Sequence, residues 1–222
     1  MDREAVLWSE EERARGSRPL LVMLHGWSYD ETHLHRLITP RLPDEVVVAS
    51  VRARIPEAGG YAWFPSAGNP IGDPRPQVAN AAALDVLSWL ETVEAPSIGL
   101  LGFSQGAAMA HQLMRWAPHR FAYCVNLAGF VVRDEQPGDA ALGGTRPPVY
   151  WGRGREDRII PPGALARTER WLARHATAEV HVYPGLGHDV RGQEIDDVAT
   201  FVGKQITSAG GPDDFESPHH RR

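Results

Sequence analysis

The sequence predicts an α/β fold with a mostly parallel sheet and helices on both faces. Short continuous apolar runs recur along the chain, as strands covered on both faces require. Longer stretches with apolar residues at helical spacing separate them. Runs and stripes alternate, which is the order of a chain built from βαβ units. The 222 residues suffice for one domain with a sizeable core, and that domain is expected over residues 1–206.

The first run, Ala5–Trp8, precedes the charged turn Glu10–Gly16. Leu20–Leu24 follows, bounded by Pro19 and by His25-Gly26, and Val46–Val51 is rich in β-branched residues. Ile98–Phe103, Ala122–Leu127, Val149–Trp151 and Val180–Tyr183 complete the strands. A first helix starts at Asp30 or Thr32 and runs through Leu37. Ala79, Ala83, Val86, Leu87, Leu90 and Val93 form the stripe of a second, with Pro74 and Pro76 near its start and Pro96 beyond its end. Gln105–Trp116, Ala164–Arg174 and Glu194–Ile206 are the remaining helices. Two long stretches, Arg52–Pro76 and Gly129–Pro148, read as irregular loops. The first holds Tyr61, Trp63 and Phe64 and is expected to be packed and functional. The tail 207–222 has almost no apolar content and is expected to be disordered. No insertion is long enough for a large lid domain.

Composition excludes several classes. The formal charge of −5 argues against a basic nucleic-acid surface. A single cysteine, Cys124, rules out an internal disulfide and a multi-cysteine zinc site. No apolar run approaches the ~18 residues of a membrane span. The opening Met1–Glu4 lacks the plan of a signal peptide, so the cytoplasm is the expected compartment. Neither a cofactor nor a metal is implied. Whether the chain is a monomer or a homodimer stays open.

The chemistry starts at Gly102-Phe103-Ser104-Gln105-Gly106, a G-x-S-x-G pentapeptide. The bare motif is weak, but it ends an apolar run and opens a helix. That strand–turn–helix context is what a nucleophile elbow needs. A serine hydroxyl requires a base, and the base a carboxylate to hold it, in the chain order Ser, acid, His. His188 lies just beyond the last strand, in Pro184-Gly185-Leu186-Gly187-His188-Asp189, where it can reach across the sheet end. His175 reads as a helix-end residue and His181 as a strand residue. Glu156 and Asp157 follow the preceding strand, and both qualify chemically as the acid. Oxyanion donors are expected from the backbone N–H of Gln105 and from the turn His25-Gly26-Trp27-Ser28. His25 itself precedes Ser104 and reads as structural.

Leu24-His25-Gly26, Gly102–Ala107, Asp157-Arg158-Ile159-Ile160-Pro161 and Gly187-His188 resemble the phospholipase/carboxylesterase family of α/β-hydrolases. The resemblance implies the α/β-hydrolase fold, with Ser104 as nucleophile, Asp157 as acid and His188 as base. The Asp-x-hydrophobic-hydrophobic-Pro pattern is what separates Asp157 from Glu156. It further implies oxyanion donors at Trp27 and Gln105, and a substrate-lining loop containing Tyr61, Trp63 and Phe64. The chain departs from the family where Trp27-Ser28 replaces a second glycine, and where Pro65 replaces an acid. The expected function is a serine carboxylesterase acting through an acyl-enzyme on small soluble esters of short to medium acyl chain. The alternatives are acyl transfer or perhydrolysis by the same triad, a lysophospholipase or thioesterase, and a non-catalytic binding protein.

Overall fold

The computed structural model describes residues 1–209. Among these, nine strands and six α-helices follow one another in the order β1 Asp2–Trp8, β2 Leu20–Leu24, α1 Thr32–Ile38, β3 Val47–Arg52, β4 Ile55–Glu57, β5 Gly60–Ala62, α2 Pro76–Leu90, β6 Ile98–Phe103, α3 Gln105–Trp116, β7 Tyr123–Leu127, α4 Asp139–Thr145, β8 Pro148–Gly154, α5 Pro162–His175, β9 Thr177–Tyr183 and α6 Gln193–Ala209. Seven strands form one sheet in the order β1-β3-β2-β6-β7-β8-β9. Within that sheet only the edge pair β1–β3 is antiparallel.

Successive residues of the central strands feed opposite faces. Leu20, Val22 and Leu24 enter the core under α2, α3 and α5, with Ala83, Val86, Leu113 and Leu172. Leu21 and Met23 enter the second core, under α1 and α6, with Leu34, Ile38, Val198 and Phe201. A central parallel strand therefore has no polar face, which is why its sequence is continuously apolar. β9 breaks that rule. It is the sheet edge, covered on one side only, and Val180 is half exposed.

Both stretches read as irregular carry structure. β4 and β5 pair as a small hairpin within 52–76, and α4 lies within 129–148. Both are short and gain order from tertiary contacts. An example is Arg115 of α3, 2 % exposed, which organises the second stretch. Its five N–H donors go to the Asp139 carboxylate, to Gln112 Oε1 and to the carbonyls of Val132 and Asp134. The start of the tail expected to be disordered is helical instead. α6 continues to Ala209, with the Thr207 hydroxyl donating to the Gly203 carbonyl at 2.9 Å. The rest of that tail lies outside the described residues.

Arg115→Leu leaves a buried Asp139 without its cation. A loss of about 3–5 kcal/mol is expected in urea unfolding. A loss below about 1 kcal/mol, the range of a surface pair, would mean that the pair is not desolvated.

Candidate active site

The parallel sheet delivers several loops to one edge. β2 and β6 pair with Leu24 opposite Gly102, so the turn after β2 lies beside the turn after β6. The loops after β8 and β9 open at the same end, the C-terminal edge where open α/β sheets bind ligands.

Ser104 joins β6 to α3 with φ 53° and ψ −113°. A side chain at positive φ is strained and needs surroundings that impose it. Two glycines permit the close packing that does so. A Cβ at Gly106 would lie 2.0 Å from the Leu24 carbonyl oxygen, and one at Gly102 would lie 2.3 Å from that of Gly106. The Ser104 N–H donates to the Leu127 carbonyl at 2.9 Å, stitching the turn to β7. The hydroxyl is thereby turned outward above the sheet edge.

His188 Nε2 lies 2.9 Å from Ser104 Oγ, and His188 Nδ1 lies 2.8 Å from Asp157 Oδ2. A carboxylate at Nδ1 fixes the proton there and leaves Nε2 as the acceptor for the hydroxyl. The Asp157 side chain is 4 % exposed, and its other oxygen accepts from the N–H groups of Ile159 at 2.8 Å and Ile160 at 3.3 Å. Burial pushes this carboxyl up. The hydrogen bond from His188, the imidazole charge and the two backbone donors outweigh it and hold the group below the ordinary carboxylate value. Glu156 is exposed, and its backbone N–H donates to the Leu186 carbonyl at 3.0 Å. Of the two carboxylates, only Asp157, the one the resemblance implies, meets the histidine.

The backbone N–H groups of Trp27 and Gln105 have no acceptor among the described residues. The first helical N–H groups lack intrahelical partners by geometry, so that of Gln105 is free to receive a ligand oxygen. His25 is not a base here. Burial lowers its pKa to about 4, against opposing effects from the Gly26 carbonyl, Asp30 and Glu31. The neutral ring donates from Nδ1 to the Gly26 carbonyl at 2.7 Å and accepts the Ala53 N–H at Nε2, 3.0 Å away. The Gly26 carbonyl and the Trp27 N–H share one planar peptide group, so holding the first aims the second.

A cavity of about 400 Å³ opens at Ser104, Gln105 and His188, walled by Trp27, Tyr29, Phe64, Ile71, Phe103, Phe130 and Ile159. Of the three aromatics expected to line it, only Phe64 does. Trp63 is 5 % exposed and packs into the core. Its indole N–H donates to the His25 carbonyl at 2.8 Å, which turns the ring inward. Tyr61 is engaged in a bridge to Tyr29 and lies under the Arg52 guanidinium, 4.8 Å from ring centre to Cζ. Sequence reasoning missed Tyr29, Ile71, Phe130 and Ile159. Ile159 had a signal, since it directly follows the Asp157 segment. Phe130 follows Gly129, whose N–H donates to Asn126 Oδ1 at 2.8 Å, and lies in a stretch that the sequence reads as an irregular loop. Among the described residues, no group of three or more His, Cys, Asp or Glu side chains could hold a metal ion. Nor is any helix among them long and apolar enough to cross a membrane.

The sequence profile of the phospholipase/carboxylesterase family matches residues 82–206, more than half of the chain. The chain belongs to this family. Acyl-protein thioesterase 1 of Saccharomyces cerevisiae is 23 % identical to it over 224 residues, spanning 86 % of this chain and 95 % of its own. A Bacillus cereus carboxylesterase structure superposes with a TM-score of 0.73 at 20 % identity, covering 90 % of this chain and 93 % of that one. A carboxylesterase from Mesorhizobium loti gives a TM-score of 0.71 at 22 % identity, covering 85 % and 90 %. These structural likenesses carry the α/β-hydrolase fold. As a phospholipase/carboxylesterase family member, the chain is a hydrolase of the carboxylesterase and acyl-protein thioesterase type.

One further group stands out behind the site. Glu194, at the start of α6, is fully buried, and neither carboxyl oxygen has a partner among the described residues. It sits against Gly152, where a Cβ would lie 2.4 Å from Glu194 Oε1. Burial, then the charges of Asp189 and Asp197, raise its pKa from 4.5 to about 8. Between those two values the folded chain holds a proton that the unfolded chain has lost, so stability falls as pH rises through that window. Glu194→Gln should flatten this slope. It should raise the melting temperature near pH 9 and bring no gain near pH 4. An unchanged slope in scanning calorimetry would contradict the assignment.

Proposed function

We propose that this protein is a serine esterase that cleaves small soluble carboxylic esters of short to medium acyl chain through an acyl-enzyme. The observation that carries the reading is the continuous hydrogen-bonded line Ser104–His188–Asp157, opening on an apolar cavity beside two free backbone N–H groups. Ser104 Oγ attacks the ester carbonyl carbon as His188 Nε2 takes its proton. The carbonyl oxygen becomes an oxyanion held by the N–H groups of Trp27 and Gln105. The C–O bond to the alcohol breaks, and the leaving oxygen takes the proton from Nε2. Water then repeats the sequence on the acyl-enzyme, releasing the acid and restoring Ser104. Asp157 keeps the imidazole in the required tautomer and offsets its charge, without taking the proton itself.

Residues 1–206 act as one catalytic unit in this reading, and the proposed compartment is the cytoplasm. A lone buried cysteine, Cys124, is in keeping with that. A thioester substrate is a second reading, favoured by the likeness to the yeast acyl-protein thioesterase. Oxygen and sulfur esters of the same acyl group, compared by kcat/KM, separate the two.

Ser104→Ala should lower ester turnover by at least about 10⁴-fold and abolish labelling by a fluorophosphonate. Labelling that survives would move the nucleophile elsewhere. Asp157→Asn should cost about 10³–10⁴-fold in kcat through the wrong tautomer, while Glu156→Gln leaves turnover nearly unchanged. Equal kinetics for the two would remove Asp157 from the acid role.

The apolar wall makes a quantitative demand on the acyl group. Each buried methylene contributes about 0.8 kcal/mol, so kcat/KM should rise about four-fold per carbon from acetyl upward until the cavity is full. A flat profile in a p-nitrophenyl ester series would mean that the acyl chain lies elsewhere.

A further inference from the structure

Oxyanion stabilisation needs two N–H donors at a constant separation, and any role in holding them rests on the esterase reading of this site. The donors belong to remote segments, Trp27 after β2 and Gln105 at the start of α3. The pairing of Leu24 with Gly102 sets those segments side by side, but the ladder ends before Trp27. A run of buried hydrogen bonds spans the remainder. The Gln105 Oε1 accepts the backbone N–H of Trp63 at 2.8 Å, and its Nε2 donates to the Phe64 carbonyl at 2.9 Å. The Trp63 indole N–H donates to the His25 carbonyl at 2.8 Å. The His25 ring, 5.4 Å from the indole between centres, holds the Gly26 carbonyl and with it the Trp27 peptide plane. Gln105, Trp63 and His25 are all buried. Each bond is therefore made away from water, where an unmade one leaves a desolvated group.

We propose that Trp63 is a positioning residue for the oxyanion donors, gripped at its backbone by the Gln105 side chain and gripping the His25 carbonyl with its indole. The bridge has a fixed polarity, because an indole N–H only donates and a carbonyl only accepts. It also ties the cavity wall at Phe64 to the same frame. Trp63 touches no reacting atom and does not line the cavity. Its contribution is realised in the transition state, where the oxyanion meets both donors, and not in ground-state binding. That separates it from a wall residue, which would act on KM and on acyl-length preference, and from a packing residue, which would act on folding alone.

The test uses the full chain with Trp63→Phe, which keeps an aromatic ring and removes the indole donor, and Gln105→Met, singly and combined. Active sites are counted by fluorophosphonate titration, so misfolded protein does not enter kcat. Trp63→Phe should lower kcat on p-nitrophenyl butyrate about ten-fold, short of the ~10²–10³-fold cost of removing a whole donor, with KM within about two-fold. Affinity for butaneboronic acid, whose tetrahedral adduct places an oxygen between the donors, should fall by the same factor. The double variant should lose no more than the worse single variant, as expected for two members of one bridge. A kcat within about two-fold of wild type overturns the proposal, as do fully additive losses or a shift confined to KM and acyl length. If the wild type neither labels at Ser104 nor hydrolyses the ester, the esterase reading falls and takes this proposal with it. If the wild type labels and turns over, a silent Trp63→Phe removes the bridge alone.

Discussion

The close approach of α3 to the end of β2 is the constraint on which the rest of the site depends. Gly106 packs so tightly on the Leu24 carbonyl that no side chain fits there. That contact holds α3 against the sheet edge and forces Ser104 into its positive-φ turn. The strain is local and is offset by the helix and sheet on either side, which are regular and deeply buried. The same approach brings the first N–H of α3 beside the turn after β2. One steric fact at a glycine thus presents the hydroxyl and the two free N–H groups on the same side of the sheet.

The histidine and its carboxylate are held differently. Both lie in loops, and loops need internal ties to be precise. Asp157 obtains them from the Ile159 and Ile160 backbone, and the 154–157 turn is tied to the 183–186 turn through the bonds of Arg155 to Tyr183 and Glu156 to Leu186. The two loops therefore behave as one piece. The His188 ring also packs against Phe103, 5.0 Å between centres, which belongs to the elbow itself.

Buried polarity is managed unevenly across the molecule. Arg115 has every donor matched, so its side chain ties α3 to the 132–139 segment. Glu194 is matched by nothing among the described residues and stays neutral near pH 7. The contrast comes from the surroundings of each group. Arg115 meets carbonyls and a carboxylate in a loop that can wrap it, whereas Glu194 faces the sheet at Gly152 with Asp189 and Asp197 nearby and no cation among the groups that shift it.

By itself the sequence determined the alternation of strands and helices, the strand–helix turn at Ser104 and the chain order of the proposed nucleophile, acid and base. Those are properties of local periodicity and chain order, which survive without coordinates. Strand order in a parallel sheet is also constrained enough that loops after the strands must share one edge. Tertiary structure alone decided which aromatic faces the cavity. Trp63 and Phe64 are neighbours in one segment, but the His25 carbonyl turns the indole inward while Phe64 meets the cavity. It also brought Asp157, the acid that the family resemblance implies, and not Glu156 against His188, supplied Phe130 and Ile71 to the cavity wall, and ordered the β4–β5 hairpin and α4. The indole bond to His25 and the His188–Asp157 contact join residues 38 and 31 positions apart, and a partner that distant leaves no periodicity in the segment that it holds.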